Sequence, residues 1–198
     1  MTEKQKQAIQ SKRQFVLTAY ELIREKGYDS VTVQDICGRC GKSVGAFYHY
    51  FSTKEDVIAA SYKMFDESLK ERYHAEQFSS WKDAIRFLLD AYLEYSVENG
   101  LEMDRAIIIA QLSSSNTYIT RSSRNFYCFI TEALTMRPDL SLGNQAAESY
   151  CDCLIRTVRG TIFAWVMSGG SFSLIDTGRA DYERVLAEIA SSAHSLIL

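Results

Sequence analysis

The sequence has a single proline, Pro138, in 198 residues, and its three histidines, His49, His74 and His194, are scattered along the chain. Few prolines suit long helices, because an interior proline removes a helix hydrogen bond and clashes with the preceding turn. The histidines show no metal-ligand spacing, and no nucleophile elbow or phosphate-binding loop accompanies them. No metal, cofactor or enzyme activity is therefore expected. Long apolar runs are also missing. Apolar stretches such as Ala106 to Ala110 are far too short to span a bilayer, and residues 1–12 are polar and unlike a signal peptide. The expectation is a cytoplasmic protein with no membrane partner.

Its five cysteines, with no secretion signal, are expected as reduced thiols. Cys37 and Cys40 form a C-x-x-C pair, but no second pair at zinc-finger spacing follows, so packing is the expected role. Cys151 and Cys153 lie two apart on an expected helix, on nearly opposite faces, and cannot chelate together; Cys128 stands alone.

Apolar residues make up 46% of the chain and charged residues 24%, the balance of a compact helical protein. The net charge of −3 is unevenly spread. Residues 1–54 carry nine Lys/Arg against five acids, a local +4 that leaves −7 for the remainder. An acidic body with a basic N-terminal part fits a patch aimed at phosphates, since backbone affinity comes from local cations.

That basic part divides into three helical patterns. The first runs from about Lys6 to Lys26, with Val16, Ala19, Tyr20 and Ile23 on one stripe, and stops at Gly27. Thr32 and Asp35 form a capping box for a second, about Val33 to Cys40, broken by Gly41. Ser43 caps a third, Val44 to about Tyr50. Its first turn, Val44-Gly45-Ala46, is small or bare, which lets a backbone approach base edges in a major groove. Phe47 and Phe51, four apart, are expected to anchor it, while Tyr48 and Tyr50 keep hydroxyls for phosphate oxygens.

Gly27-Tyr28, Thr32-Val33, Asp35-Ile36, Gly41, Ser43, Gly45, the run Phe47-Tyr48-His49-Tyr50-Phe51 and Thr53-Lys54 together resemble the N-terminal domain of the TetR family of transcriptional regulators. The resemblance covers about Phe15 to Ile58. It implies an all-α fold, with a three-helix helix-turn-helix DNA-binding domain and a larger C-terminal helical domain for ligand binding and dimerisation. It implies a homodimer that releases double-stranded operator DNA when a small-molecule effector binds. It also implies that Gln34, Ser43, Val44, Gly45 and Ala46 face the major groove, and that Thr32, Tyr48, Tyr50 and Lys54 lie near phosphates. His49 joins this candidate DNA surface. So does Lys42, which stands where the family usually has a valine and either loosens the turn or reaches outward.

The expected domains are residues 1–53 and 54–198. In the second, Thr53 with Asp56 caps a helix to about Ala75, the natural mechanical link from head to body, and Ser80 with Asp83 caps another over Trp81 to Glu98. Further helices are expected over Glu102 to Ser114, over Thr117 to Met136, stopped by Arg137-Pro138, and over Asn144 to Met167. Phe65, Phe87, Tyr92, Met103, Ile107, Gln111, Phe126, Tyr127 and Ile130 have the mixed apolar and hydrogen-bonding character of a ligand pocket. Two stripes are expected to form the dimer interface: Tyr150, Leu154, Val158, Ile162 and Trp165, then Val185, Ile189, Ala193 and Leu196. The reading is a ligand-responsive DNA-binding repressor. A thiol-based redox-sensing regulator and a helical adaptor that does not bind DNA are the alternatives.

Overall fold

The computed structural model describes residues 2–113, 123–135, 140 and 142–195, the side chains at 113 and 193–195 excepted. Among them lie nine α-helices: α1 Glu3–Lys26, α2 Val33–Arg39, α3 Val44–Tyr50, α4 Lys54–Ala75, α5 Trp81–Asn99, α6 Leu101–Ser113, α7 Asn125–Thr135, α8 Asn144–Met167 and α9 Leu174–Ser195, with a 3₁₀ turn at Tyr28–Ser30 after α1. The all-α expectation holds. The helix expected over Thr117 to Met136 is found only from Asn125 to Thr135. Its proposed start at Thr117 and its last residue lie outside the described residues, and Ser123 and Arg124 are not helical.

Local chemistry sets the helix ends. Gly27 ends α1 at φ 78°, a conformation that side chains with a Cβ resist, and its N–H donates to the Ile23 carbonyl at 2.9 Å. Ser52 and Thr53 both donate backbone N–H to Asp56 Oδ2 at 3.1 Å, and the Thr53 hydroxyl accepts from the Asp56 N–H, so α4 begins on a reciprocal cap. Ser80 and Ser173 accept from Asp83 and Asp176 in the same way at α5 and α9.

The contacts divide the chain into two compact units, Met1–Met64 with Asn99–Thr120, and Phe65–Glu98 with Arg121–Leu198. The first gathers α1 to α3, the start of α4, and α6, which packs on α1 and on the 3₁₀ turn. Its core holds Phe15, Ile23, Ile36, Phe47 and Ile58, all nearly inaccessible to water. The second is organised on α8 and α9, its most extensively paired helices, with α7 against α8. Leu89, Leu93, Phe126, Ile130, Leu154, Val158, Leu186 and Ile189 fill its centre.

The stripes expected at a dimer interface mostly face this interior. Leu154, Val158 and Ile189 are fully buried and Ile162 nearly so, and the Tyr150 hydroxyl donates to Ser192 Oγ at 3.0 Å. Val185 and Trp165 are half-buried, the side chain of Ala193 is not described, and Leu196 lies outside the described residues. Helical spacing identified an apolar face but not its partner: the chain covers that face itself, α8 against α9.

Candidate nucleic-acid interface

The fixed point of the first unit is an aromatic cluster. Phe15 of α1 meets Phe47 of α3 edge-on, with ring centroids 5.4 Å apart, and Phe51 packs on both at 6.3 and 5.5 Å. Because Phe47 and Phe51 point inward, the opposite face of α3 is left to solvent. Ser43, Val44, Gly45, Tyr48 and His49 are exposed there, as is Gln34 on α2; Ala46 and Tyr50 are half-buried. Tyr48 keeps 57% of its surface accessible, so its hydroxyl is free to reach outward from a ring that leans on Phe47. The His49 ring rests edge-on against Tyr50.

Caps lock the two short helices. The Thr32 hydroxyl accepts from the Asp35 N–H at 3.1 Å and donates to Asp35 Oδ2 at 2.6 Å, while the Thr32 N–H donates to the same carboxylate at 2.8 Å. Lys26 adds an ion pair at 3.1 Å. The hydrogen bonds from Thr32, with Lys26 behind them, hold the Asp35 carboxyl down at about 2. The Thr32 O–H is therefore donated to the Asp35 carboxylate, which leaves it no proton to offer a phosphate oxygen. Ser43 Oγ accepts from the Ala46 N–H at 3.1 Å and starts α3. Between the helices Gly41 takes φ 64° and Lys42 N–H returns to the Cys37 carbonyl at 3.0 Å.

Two lysines sit differently from expectation. Lys54 Nζ turns inward and donates to the carbonyls of Tyr28 and Val31, each at 2.9 Å, above the Tyr28 ring at 3.8 Å. Burial lowers its pKa below the usual lysine value. Beside it the Tyr28 hydroxyl donates to Glu55 Oε1; burial first, then that bond, pushes the tyrosine up. Expected near phosphate, Lys54 instead pins the start of α4 to the 3₁₀ turn, with two of its three donors used on the Tyr28 and Val31 carbonyls, the first of which also accepts the Val31 N–H at 3.2 Å. Lys42, half-buried, lays its stem along α1 and donates to Ser11 Oγ at 3.2 Å. Ser11 and Gln14, whose Nε2 donates to the Cys40 carbonyl at 3.3 Å, carry this tie between α1 and the turn. Sequence reasoning missed both, because a polar residue on an exposed helix carries no signal of a partner 26 or 31 positions away.

None of the five cysteines forms a disulfide. Burial pushes the Cys37 and Cys40 thiols up, and Cys40 Sγ donates to the Ile36 carbonyl at 2.9 Å, the behaviour of packed thiols.

Of the candidate pocket residues, the second unit brings Phe65, Tyr92 and Phe126 together, Tyr92 lying 5.9 Å from Phe65 and 4.9 Å from Phe126. Tyr127 and Ile130 are buried on α7. Phe87 joins a different cluster, with Phe78 and Tyr73 at 5.3 and 6.5 Å. Met103 and Ile107, buried, and Gln111, half-buried, belong to α6 in the first unit.

One long helix and two short ones, the short pair joined by a glycine turn and the last presenting a bare face on an aromatic anchor, define a helix-turn-helix protein with a larger helical second unit. The family model described as "Bacterial regulatory proteins, tetR family" matches residues 16–61, so this N-terminal segment is similar to the DNA-binding part of TetR-family regulators. It is 28% identical over 105 residues to the HTH-type transcriptional regulator CymR of Pseudomonas putida, 52% of each chain, and 32% identical over 88 residues to the transposon Tn10 TetC protein of Escherichia coli, 42% of this chain and 43% of that protein. The chain thus spans about half the length of these relatives. Its fold is similar to a TetR transcriptional regulator from Rhodococcus sp. RHA1, at TM-score 0.67 and 18% identity over 93% of this chain and 94% of that one. It is also similar to FadR from Bacillus subtilis in complex with stearoyl-CoA, at TM-score 0.67 and 20% identity over 87% and 96%. No helix among the described residues is long and apolar enough to cross a membrane.

Proposed function

We propose that the chain is a dimeric, cytoplasmic transcriptional repressor, without enzymatic activity, that grips operator DNA through α2 and α3 and releases it when a small molecule binds the second unit. The observation that carries this reading is α3. An aromatic pair buries one side, and the other side offers Ser43, Val44 and Gly45 with no bulk to keep a backbone away from base edges. Ser43 already serves as a cap, so base reading leans on Gln34 and on methyl contacts from Val44 and Ala46. Tyr48, His49 and Tyr50 flank them toward phosphates, while Lys42 braces the turn against α1. Lys54 acts one step back, by holding α4 against the reader.

Release follows from α4, a continuous helix whose residues 54–64 belong to the first unit and 65–75 to the second. An effector held near Phe65, Tyr92 and Phe126 favours one setting of that helix. Two reading helices must meet half-sites about one helical turn apart, so a small change in their separation loses affinity. The second copy docks on the outward face of α8, where Gly160, Phe163, Ala164 and Met167 share a stripe and Phe163 and Met167 are 49% and 70% exposed. Gel-shift titration of the promoter DNA next to the coding region, at two salt concentrations, tests the reading: salt-dependent binding supports it and salt-independent absence of binding sinks it. Phe163→Glu with Met167→Glu gives monomers by light scattering if the α8 face is the interface.

A further inference from the structure

We propose that the first three turns of α1 form a second DNA-contacting strip, in which Lys4 and Lys12 meet backbone phosphates alongside the reading helix; this rests on the DNA-binding reading above. Helix α1 starts at Glu3, yet its first buried side chain is Phe15. Before Phe15 only Ala8 and Ser11 are even half-buried, and Ile9 is 57% exposed. Unsupported helical turns are marginal in water. These are held by a capping box, in which Thr2 and Gln5 exchange hydrogen bonds at 2.8 and 3.3 Å. The overrun gains no core burial, so its worth lies in the surface it presents.

Three contacts fix where that surface runs. Ser11 receives Lys42 at 3.2 Å, Gln14 donates to the Cys40 carbonyl at 3.3 Å, and Lys12 Nζ stands 5.4 Å from the centre of the Phe51 ring. Cys40 and Lys42 precede α3 and Phe51 follows it, so α1 lies alongside the reading helix. At 1.5 Å per residue the helix carries Lys4 about 10 Å past Ser11. The helical repeat puts Lys4, Ala8, Ser11 and Phe15 on one face, the face that meets α2 and α3, with Lys12 at its edge. Lys6 and Arg13 fall on the opposite face, where Lys6 pairs with Glu3 at 3.6 Å. The segment 2–13 carries four cations against one acid. Its reader-side lysines thus continue the basic flank of α3, and the chemistry that fits such a strip is the polyanionic backbone of the duplex that α3 enters.

The test uses the full chain and a duplex that the unsubstituted chain selects from a random-sequence library, titrated by fluorescence anisotropy over a range of salt. Lys4→Gln with Lys12→Gln is expected to flatten the slope of log affinity against log salt by about 0.9 for each lost contact, roughly a tenfold loss of affinity per contact at about 0.1 M salt, with unchanged sequence preference. Lys6→Gln with Arg13→Gln removes the same charge from the other face and keeps the original slope, as does Lys4→Arg with Lys12→Arg. Circular dichroism confirms that each variant keeps its helix content. Equal losses from the two glutamine doubles, or no loss from Lys4 and Lys12, would overturn the strip while DNA binding stands. Failure of the unsubstituted chain to select any duplex would overturn the DNA-binding reading and the strip with it.

Discussion

The two units hold their charges in opposite ways. In the first, ion pairs lie at the surface: Arg39 chelates Glu25 at 3.1 and 2.8 Å and Lys26 meets Asp35, all four side chains more than a third exposed. In the second, Arg124 makes a two-pronged pair with Asp66 at 2.8 Å, both side chains almost wholly buried, and Asn125 donates to the Asp66 carbonyl. Three of the second unit's pairs span long stretches of sequence: 58 positions for Arg124 and Asp66, 97 for Arg86 and Glu183, 89 for Arg179 and Asp90. The first unit has a long-range pair too, Arg105 with Asp29 76 positions apart, but it is exposed, so what sets the second unit apart is burial of the pair. A surface pair contributes little and can be lost. A buried one, once formed, makes each partner indispensable to the other.

The largest expected effect breaks that contrast open. Arg124→Ala strands a buried carboxylate and is expected to lower the unfolding free energy by about 3–5 kcal/mol in urea titration, whereas Arg39→Ala changes it little. Replacing both partners, as Arg124→Met with Asp66→Leu, recovers most of the loss; a double variant as weak as the single would show that the pair itself, and not the stranded charge, is what counts. Next comes Lys54→Met, which leaves the Val31 carbonyl without the ammonium donor and the Tyr28 carbonyl with only the Val31 N–H. It is expected to lose about 1–3 kcal/mol of stability with no DNA present. A Lys54→Met chain as stable as the original, but weaker on DNA, would return Lys54 to the phosphate role.

Two glycines sharpen the comparison within the second unit. A Cβ at Gly178 of α9 would lie 2.6 Å from a methyl of buried Leu93, so Gly178→Ala is expected to lose about 1–3 kcal/mol. At Gly160 of α8 nothing in the same chain stands within 4 Å, and in the Phe163→Glu, Met167→Glu background, where no second copy covers it, Gly160→Ala is expected to gain up to about 1 kcal/mol from helix propensity. Thermal unfolding of the two variants should move in opposite directions.

Acid probes the first unit more gently. The Asp35 carboxyl sits at about 2 in the folded chain, below its unfolded value of about 3.9. Its cap therefore contributes fully above that value and is lost as pH falls toward 2. Stability measured between pH 4 and 2 should fall less steeply in Asp35→Ala than in the original chain. The smallest effect concerns thiols. Burial lifts Cys151 to about 11, while Cys128 is exposed, so a maleimide at neutral pH is expected to label Cys128 well before Cys151. The reverse order would reopen a redox role for Cys151.

The sequence by itself determined the head. Thr32 with Asp35, Ser43, Gly41 and the four-residue step from Phe47 to Phe51 are local signals, and each acts within a few positions of where it is written. Helix ends, the glycine turn and the inward aromatic face follow from them, and the ends of α3 and α8 fell where the pattern put them. Tertiary structure decided what each face meets. The spacing of Leu154, Val158 and Ile162 marks an apolar stripe, but the period of a helix carries no information on whether its own chain or a second copy covers that stripe; the packing of α9 settled it. Lys54 follows the same rule. A lysine at a helix start is equally suited to phosphate or to carbonyls, and the direction its ammonium takes is set by which oxygen atoms the fold brings within 3 Å, here those of Tyr28 and Val31. Local periodicity fixes elements because backbone sterics and capping act over one turn, whereas partners are chosen by burial, which belongs to the whole chain.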